Sequence, residues 1–185
     1  VVGAGHSAAN TLIGLADLAK DEPDTRILWA VRGPSAEKVY GGGDSDGLPA
    51  RGQLGARLRR LVEAGTIELH TGFGISSLKS LASHVTIESV DGRTLEADIV
   101  VPCTGFRPNL DMLRELRLNL DPAVEAPVQL GPLIDPEFHS CGTVEPHGAR
   151  MLAHPEQGFY IVGMKSYGRA PTFLLATGYE QVRSV

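Results

Sequence analysis

Apolar and polar positions follow two periods along the first third of the chain. After Val1 and Val2 and a glycine-rich turn, Ala8, Leu12, Leu15, Ala16 and Ala19 recur at three-and-four spacing, which predicts a helix over 7–19 with one buried stripe. The acidic, proline-containing run 21–24 ends it, because proline cannot continue a helix and the charges belong in solvent. "RILWAV" (26–31) then reads as a buried strand. Leu54, Leu58, Leu61 and Val62 mark an amphipathic helix stopped by Gly65, and "TIELHTG" (66–72) reads as a further parallel strand. Between these elements, "EKVYGGGDSDGLPARG" (37–52) is glycine-rich and is expected to lack regular structure, as a lid or as a plain surface loop. In "HVTIESVDGRTLEADIVV" (84–101) two extended runs flank Val90-Asp91-Gly92, and the Asp-Gly pair is a strong hairpin signal. The pattern predicts an α/β fold: a parallel sheet with an antiparallel β-meander inserted before its last strand.

The turn between the first apolar pair and the first helix is Gly3-Ala4-Gly5-His6-Ser7-Ala8, the G-x-G-x-x-A form of a dinucleotide fingerprint. Gly3 permits the tight turn, Gly5 lets the backbone approach a pyrophosphate, and Ala8 lets helix and strand pack closely. The helix N-terminus offers free amides to that anion. A glycine-rich turn without ligand is the alternative. The next strand ends Val31-Arg32-Gly33 with no carboxylate for a ribose 2′-hydroxyl, so Arg32, with Lys38 as a possible helper, favours NADPH over NADH. A solvated strand-end charge is the other reading of Arg32.

Composition narrows the field. With 185 residues, 42% hydrophobic and 21% charged, the chain can bury a core. A net charge of −5 without basic runs points away from nucleic acid. No apolar run reaches the length of a membrane span and no signal-type N-terminus is present, so membrane association is not expected and a cytoplasmic location is the default. Cys103 and Cys141 are widely separated and form no C-x-x-C, so both are expected to stay reduced.

The last predicted strand of the first part runs into "VVPCTGFRPNLDML" (100–113). Here the chain resembles FAD-dependent NAD(P)H oxidoreductases with two dinucleotide-binding domains, flavin monooxygenase-like flavoproteins among them. In that family an apolar strand ends in an Ala-Thr-Gly-x-x-Pro-Asn type segment. Thr104 and Gly105 fit it, with Cys103 in place of the common Ala. "GFYIVGM" (158–164) is similar to the family's late FAD-domain strand, and "PTFLLATGYEQVRSV" (171–185) to the helix after it. The resemblance implies a Rossmann-like three-layer FAD/NAD(P)-binding fold, with an NAD(P)H-binding domain over 1–108 and the returning part of a split FAD-binding domain over 109–185. It also places Gly163 at a strand end near the flavin, and Thr172 and Phe173 as amides of a helix N-terminus that stabilises reduced flavin.

Only one glycine fingerprint is present, so the chain is expected to be an incomplete piece that retains little or no FAD without an N-terminal FAD-binding half. Gly163-Met164 replaces the Gly-Asp of disulfide reductases, and no redox C-x-x-C exists; both favour a monooxygenase-like relative. The expected activity is hydride transfer from NADPH to flavin, serving a small-molecule substrate or electron acceptor. A reductase of an electron-carrier protein and a non-catalytic dinucleotide sensor are the alternatives. No catalytic acid, base or nucleophile stands out. His139, Cys141, His147 and His154 match no standard metal spacing, so no metal is expected; a substrate cleft and a structural loop remain open for them. Lys165, Tyr167 and Arg169 could face the flavin or belong to a solvated loop, while Leu110, Leu113, Leu116 and Leu118 read as packing.

Overall fold

The computed structural model describes residues 1–42, 48–139, 144–145 and 147–185. The chain divides into two compact units, Val1–Thr104 and Gly105–Val185.

In the first unit the apolar pair Val1 and Val2 takes a central place in a parallel sheet. Val2 bridges in parallel to Ala30 on one side and to Pro102 on the other. The partner strand β1 (Ile27–Ala30) pairs in parallel with β2 (Ile67–His70), in register Ile27 to Ile67 and Ala30 to His70. The spatial order is therefore β2, β1, the N-terminal pair, then residues 101–103. Helices α1 (His6–Leu18), α2 (Glu37–Tyr40) and α3 (Pro49–Glu63) connect these strands.

The side-chain alternation of β1 explains the layers. Ile27, Trp29 and Val31 point into a core with Leu12, Ile13 and Leu58 of the helices, whereas Ala30 points the other way, toward Phe73 and Ile87. The second face is covered by an antiparallel meander of β3 (Ile75–Ser80), β4 (Val85–Ser89) and β5 (Thr94–Ala97). Helices, parallel sheet and meander form three layers. The Asp-Gly turn joins β4 to β5 as the sequence predicts, with Gly92 at φ 87°.

One sequence expectation for this unit changes. The segment 37–52 is not devoid of regular structure: α2 occupies its start, and α3 begins at Pro49. Proline is favoured at a first helical position, which offsets the preceding glycines. Gly41 stops α2 at φ 65°, and residues 43–47, the centre of the proposed lid, lie outside the described residues. Gly65 ends α3 at φ 73°, where its N–H and that of Thr66 return to the Val62 and Leu61 carbonyls.

The second unit has little regular structure. A tight turn bridges Leu120 to Pro127, and Asp121 Oδ1 accepts the N–H groups of Ala123 and Val124 at 2.8 and 2.9 Å. Short helices α4 (Gly131–Ile134) and α5 (Ala149–Leu152) and the ten-residue α6 (Leu175–Ser184) pack around Leu130, Ile134, Leu152 and Tyr167. The expected late strand at 158–164 is reduced to one bridge, Tyr160 to Ala153, after which Gly163–Tyr167 form a 3-10 helix. The last helix begins at Leu175, not at Pro171. Its expected first residues are held elsewhere: the Thr172 hydroxyl donates to the Ile134 carbonyl at 3.1 Å, and Phe173 packs edge-on against Tyr167. Leu110, Leu113, Leu116 and Leu118 are half-buried and none enters the buried core. Among the described residues no helix is long and apolar enough to cross a membrane.

Candidate nucleotide site

The glycine turn lies at the C-terminal edge of the parallel sheet, where the N-terminal pair gives way to α1. Gly3 has φ 132°, and a Cβ there would lie 2.1 Å from the Cys103 carbonyl oxygen. Only glycine lets the two neighbouring strand ends approach this closely. The Gly3 N–H donates to the Ala30 carbonyl at 3.0 Å, and buried Trp29 donates its Nε1–H to the Gly3 carbonyl at 2.7 Å. The turn is thus held by β1 through both backbone and side chain.

Gly5 differs from Gly3. It is the N-cap of α1 with extended backbone, and a Cβ on it would meet nothing within 4 Å. Ala4, Gly5, His6 and Ser7 are exposed, whereas Ala8 is fully buried against the core. The first hydrogen bond of the helix runs from the Ala9 N–H to the Gly5 carbonyl at 3.1 Å. Among the described residues the amides of His6, Ser7 and Ala8 therefore have no backbone acceptor, and no acidic side chain occupies the first turn. An anion fits these free donors and the positive end of the helix.

Arg32 follows β1 at the same edge of the sheet. It is exposed and has no ion-pair partner among the described residues; Lys38 on α2 is exposed as well. The N–H of Val31 donates to the His70 carbonyl and the N–H of Gly72 to the Gly33 carbonyl, so the backbone on either side of Arg32 is tied to the end of β2. Thr104 ends the first unit one residue after the Cys103 carbonyl that crowds Gly3. The structure therefore brings Gly3 to Ala8, Arg32 and Thr104 to one edge of one sheet. Gly105 opens the second unit at φ 92°, exposed, with open space where a Cβ would stand.

In the second unit the expected groups are differently employed. The Gly163 N–H donates to Gln181 Oε1 at 2.7 Å, so it is already satisfied within the unit. Thr172 and Phe173 precede α6 and are anchored in the core, and the first turn of α6 itself begins at Leu175. Tyr167 is fully buried, Lys165 Nζ donates to the Asn109 carbonyl at 3.0 Å, and Arg169 Nη1 donates to the Ala123 carbonyl at 3.4 Å. The two cations brace the backbone of the unit, and Tyr167 fills its core.

His139 and His147 line one cavity of about 560 Å³ together with Glu145 and Arg150, while His154 accepts the Asn119 N–H at Nδ1, 3.2 Å away. Cys141 lies outside the described residues. Among those described, no group of three His, Cys, Asp or Glu is placed to hold a metal. His147 belongs to a buried network that the sequence did not announce. Gln181 Nε2–H donates to His147 Nε2 and to Ser166 Oγ, each at 2.8 Å, and the Ser166 hydroxyl donates to the Gly163 carbonyl at 2.7 Å. Trp29 was equally silent, since an indole N–H has no sequence signature until its carbonyl partner is known.

No family model matches the chain, and no curated protein matches it. Solved structures do. The chain superposes on bacillithiol disulfide reductase from Bacillus cereus over 91% of its length (TM-score 0.58, 20% identity), and on the enzyme of that name from Staphylococcus aureus over 96% (TM-score 0.61, 17% identity). It matches LpdA from Mycobacterium tuberculosis over 98% (TM-score 0.63, 17% identity). The chain shares their fold. The three-layer, Rossmann-like fold expected from the sequence is the one found. The chain spans 41%, 45% and 32% of these three chains, less than half of each.

Proposed function

We propose that this chain is the nucleotide-binding part of an FAD-dependent oxidoreductase and that its nucleotide is NADPH. The observation that carries the reading is the turn at Gly3 to Ala8: three amides at a helix start and an exposed Arg32 on the same sheet edge, none with a partner among the described residues, and open space above Gly5. In this reading the amides of His6, Ser7 and Ala8 hold the pyrophosphate, and Gly5 lets it approach. Arg32 pairs with the 2′-phosphate, with Lys38 nearby in sequence, and Thr104 and Gly105 flank the crossing. NADPH, when bound, supplies a hydride. The chain's own residues bind and orient it.

Toward the flavin, the Gly163 amide is already spent inside the second unit, whereas the amides of Thr172 and Phe173 stay with their expected role. The first-turn amides of α6, from Leu175, are further donors of that kind. Gly163-Met164 and the missing C-x-x-C favour a monooxygenase-like use of the reduced flavin on a small molecule. A reductase of another acceptor is a second reading, favoured because two structures of the same fold carry the name of disulfide reductases.

Calorimetric titration of the chain with NADPH and with NADH tests the nucleotide assignment. NADPH is expected to bind more tightly, and Arg32→Ala is expected to cost about 1.5–3 kcal/mol of NADPH affinity while changing NADH much less. Equal weakening of both nucleotides would remove Arg32 from the site, and binding of neither would reduce the fingerprint to a turn.

A further inference from the structure

The Asp-Gly hairpin that joins β4 to β5 places a residue the nucleotide reading does not use. Arg93 folds back along its own turn, and its Nε and Nη2 reach Asp91 Oδ2 at 2.9 and 2.7 Å. Nη2 also donates to the Thr71 and Gly72 carbonyls at 3.1 and 3.0 Å, and the guanidinium sits 5.3 Å over the ring of buried Phe73. One side chain of the meander thereby caps the end of β2. That end needs a cap, because Gly72 turns the chain at φ 61° and leaves two successive carbonyls beyond the β1–β2 ladder.

The capped segment is the one that holds Arg32. The His70 carbonyl accepts the Val31 N–H at 2.9 Å, the Phe73 N–H donates to the Val31 carbonyl at 2.9 Å, and the Gly72 N–H donates to the Gly33 carbonyl at 2.7 Å. Arg32 is thus suspended between two residues whose backbone is pinned to 70–73, and 70–73 is pinned in turn by Arg93. The donors for the pyrophosphate, residues 6–8, belong to α1 and take no part in this chain of bonds.

We propose that Arg93 is the positioning residue for nucleotide discrimination: it holds the 71–73 turn, and through it the backbone of Arg32, in the place from which Arg32 meets a 2′-phosphate. The inference rests on the NADPH reading above. Its consequence is selective. Loosening Arg93 weakens the 2′-phosphate contact and leaves pyrophosphate binding, and hence NADH, nearly as before. A lysine cannot replace it, because an ammonium lacks the planar fork that spans a carboxylate and two carbonyls while lying over a ring. The salt link is fixed at neutral pH, since the hydrogen bonds from Arg93 hold the Asp91 carboxyl down at about 2.

The test is calorimetric titration of the full chain with NADPH and NADH, in the parent and in Arg93→Lys, Arg93→Gln, Asp91→Asn, Arg32→Ala and the Arg32→Ala/Arg93→Gln pair. Arg93→Lys and Arg93→Gln are each expected to cut the NADPH-to-NADH preference by about fivefold or more with NADH affinity within about twofold of the parent. Asp91→Asn should shift it the same way by less, and in the Arg32→Ala background Arg93→Gln should have no further effect. Should Arg93→Gln fail to fold, Arg93→Lys and Asp91→Asn decide the matter. An equal fall for both nucleotides, an unchanged preference, or a further loss in the Arg32→Ala background overturns the positioning role. A parent that binds neither nucleotide, or prefers neither, overturns the NADPH reading and this inference with it; a parent that discriminates while the Arg93 variants match it overturns this inference alone.

Discussion

Gly3 and Gly5 stand two residues apart in one turn, yet the same substitution acts on them for different reasons. At Gly3 a methyl group would lie 2.1 Å from the Cys103 carbonyl oxygen on a backbone at φ 132°. The strand ends would have to part, and Gly3→Ala is expected to cost about 2–4 kcal/mol of stability in urea denaturation. At Gly5 the methyl group meets nothing, so Gly5→Ala should stay within about 0.5 kcal/mol of the parent. The same variant should lower NADPH affinity by about tenfold or more, because the added carbon would occupy the approach proposed for the pyrophosphate. A Gly5→Ala protein with unchanged affinity would show that no ligand comes near this backbone. The spacing of the two glycines was legible in the sequence. The division of roles, Gly3 for the turn and Gly5 for a ligand's approach, was expected from that spacing; the atom that forbids a side chain at Gly3 was not legible, because it is the Cys103 carbonyl a hundred residues away.

At the scale of elements, what could be read was what local chemistry dictates. The stripe from Ala8 to Ala19 produced α1, and Asp91-Gly92 produced the β4–β5 turn, since both depend on neighbours in sequence. What could not be read depends on tertiary anchors. Helix α2 hides in a glycine-rich stretch because Tyr40 is held in the core, edge-on to Trp29 and beneath the Arg59 guanidinium. Helix α6 starts late because Thr172 and Phe173 are committed to Ile134 and Tyr167. The contact of α2 with α3 makes a prediction against propensity. Gly55 is mid-helix, where alanine ordinarily gains about 1 kcal/mol. Its Cβ would nevertheless stand 1.9 Å from the Tyr40 carbonyl oxygen. Gly55→Ala is therefore expected to destabilise the chain by about 1–3 kcal/mol, measured as a lowered urea midpoint, and a stabilised variant would contradict the close packing of the two helices.

At the scale of the whole molecule, acid acts on the two units in different pH windows. His147 and His154, both in the second unit, are pushed below their ordinary 6.5, with burial the larger cause and a backbone hydrogen bond opposing it in each. For His147 the network explains why a proton is resisted. The Gly163 N–H fixes the Gln181 oxygen, so the Gln181 amide must present N–H to His147 Nε2, and a protonated ring would set one donor against another. A folded value below the unfolded one means that the unfolded chain takes up the proton first. The stability these histidines contribute is complete above about 6.5 and is lost as pH falls from there through the lowered folded values. The first unit carries one group of that kind, the Val1 amine, which burial holds below its ordinary 8.0 so that its contribution starts to fall well above the histidine window; its other shifted acid-sensitive groups are carboxylates held down by partners: Asp17 by Lys20 and Arg57, Glu68 by Arg26, and Asp91, at about 2, by Arg93. Their contribution is lost only as pH falls below the ordinary carboxylate range of 3.8 to 4.5. Between about pH 6.5 and 5 the second unit should therefore weaken first. The single tryptophan, Trp29, reports the first unit, and tyrosine near-ultraviolet circular dichroism draws mainly on Tyr160, Tyr167 and Tyr179 of the second. The urea midpoint seen by tyrosine is expected to fall across this window while the Trp29 fluorescence midpoint holds. Midpoints that fall together would mean that the units unfold as one, and a tyrosine midpoint unchanged down to pH 5 would mean that His147 accepts its proton without breaking the network.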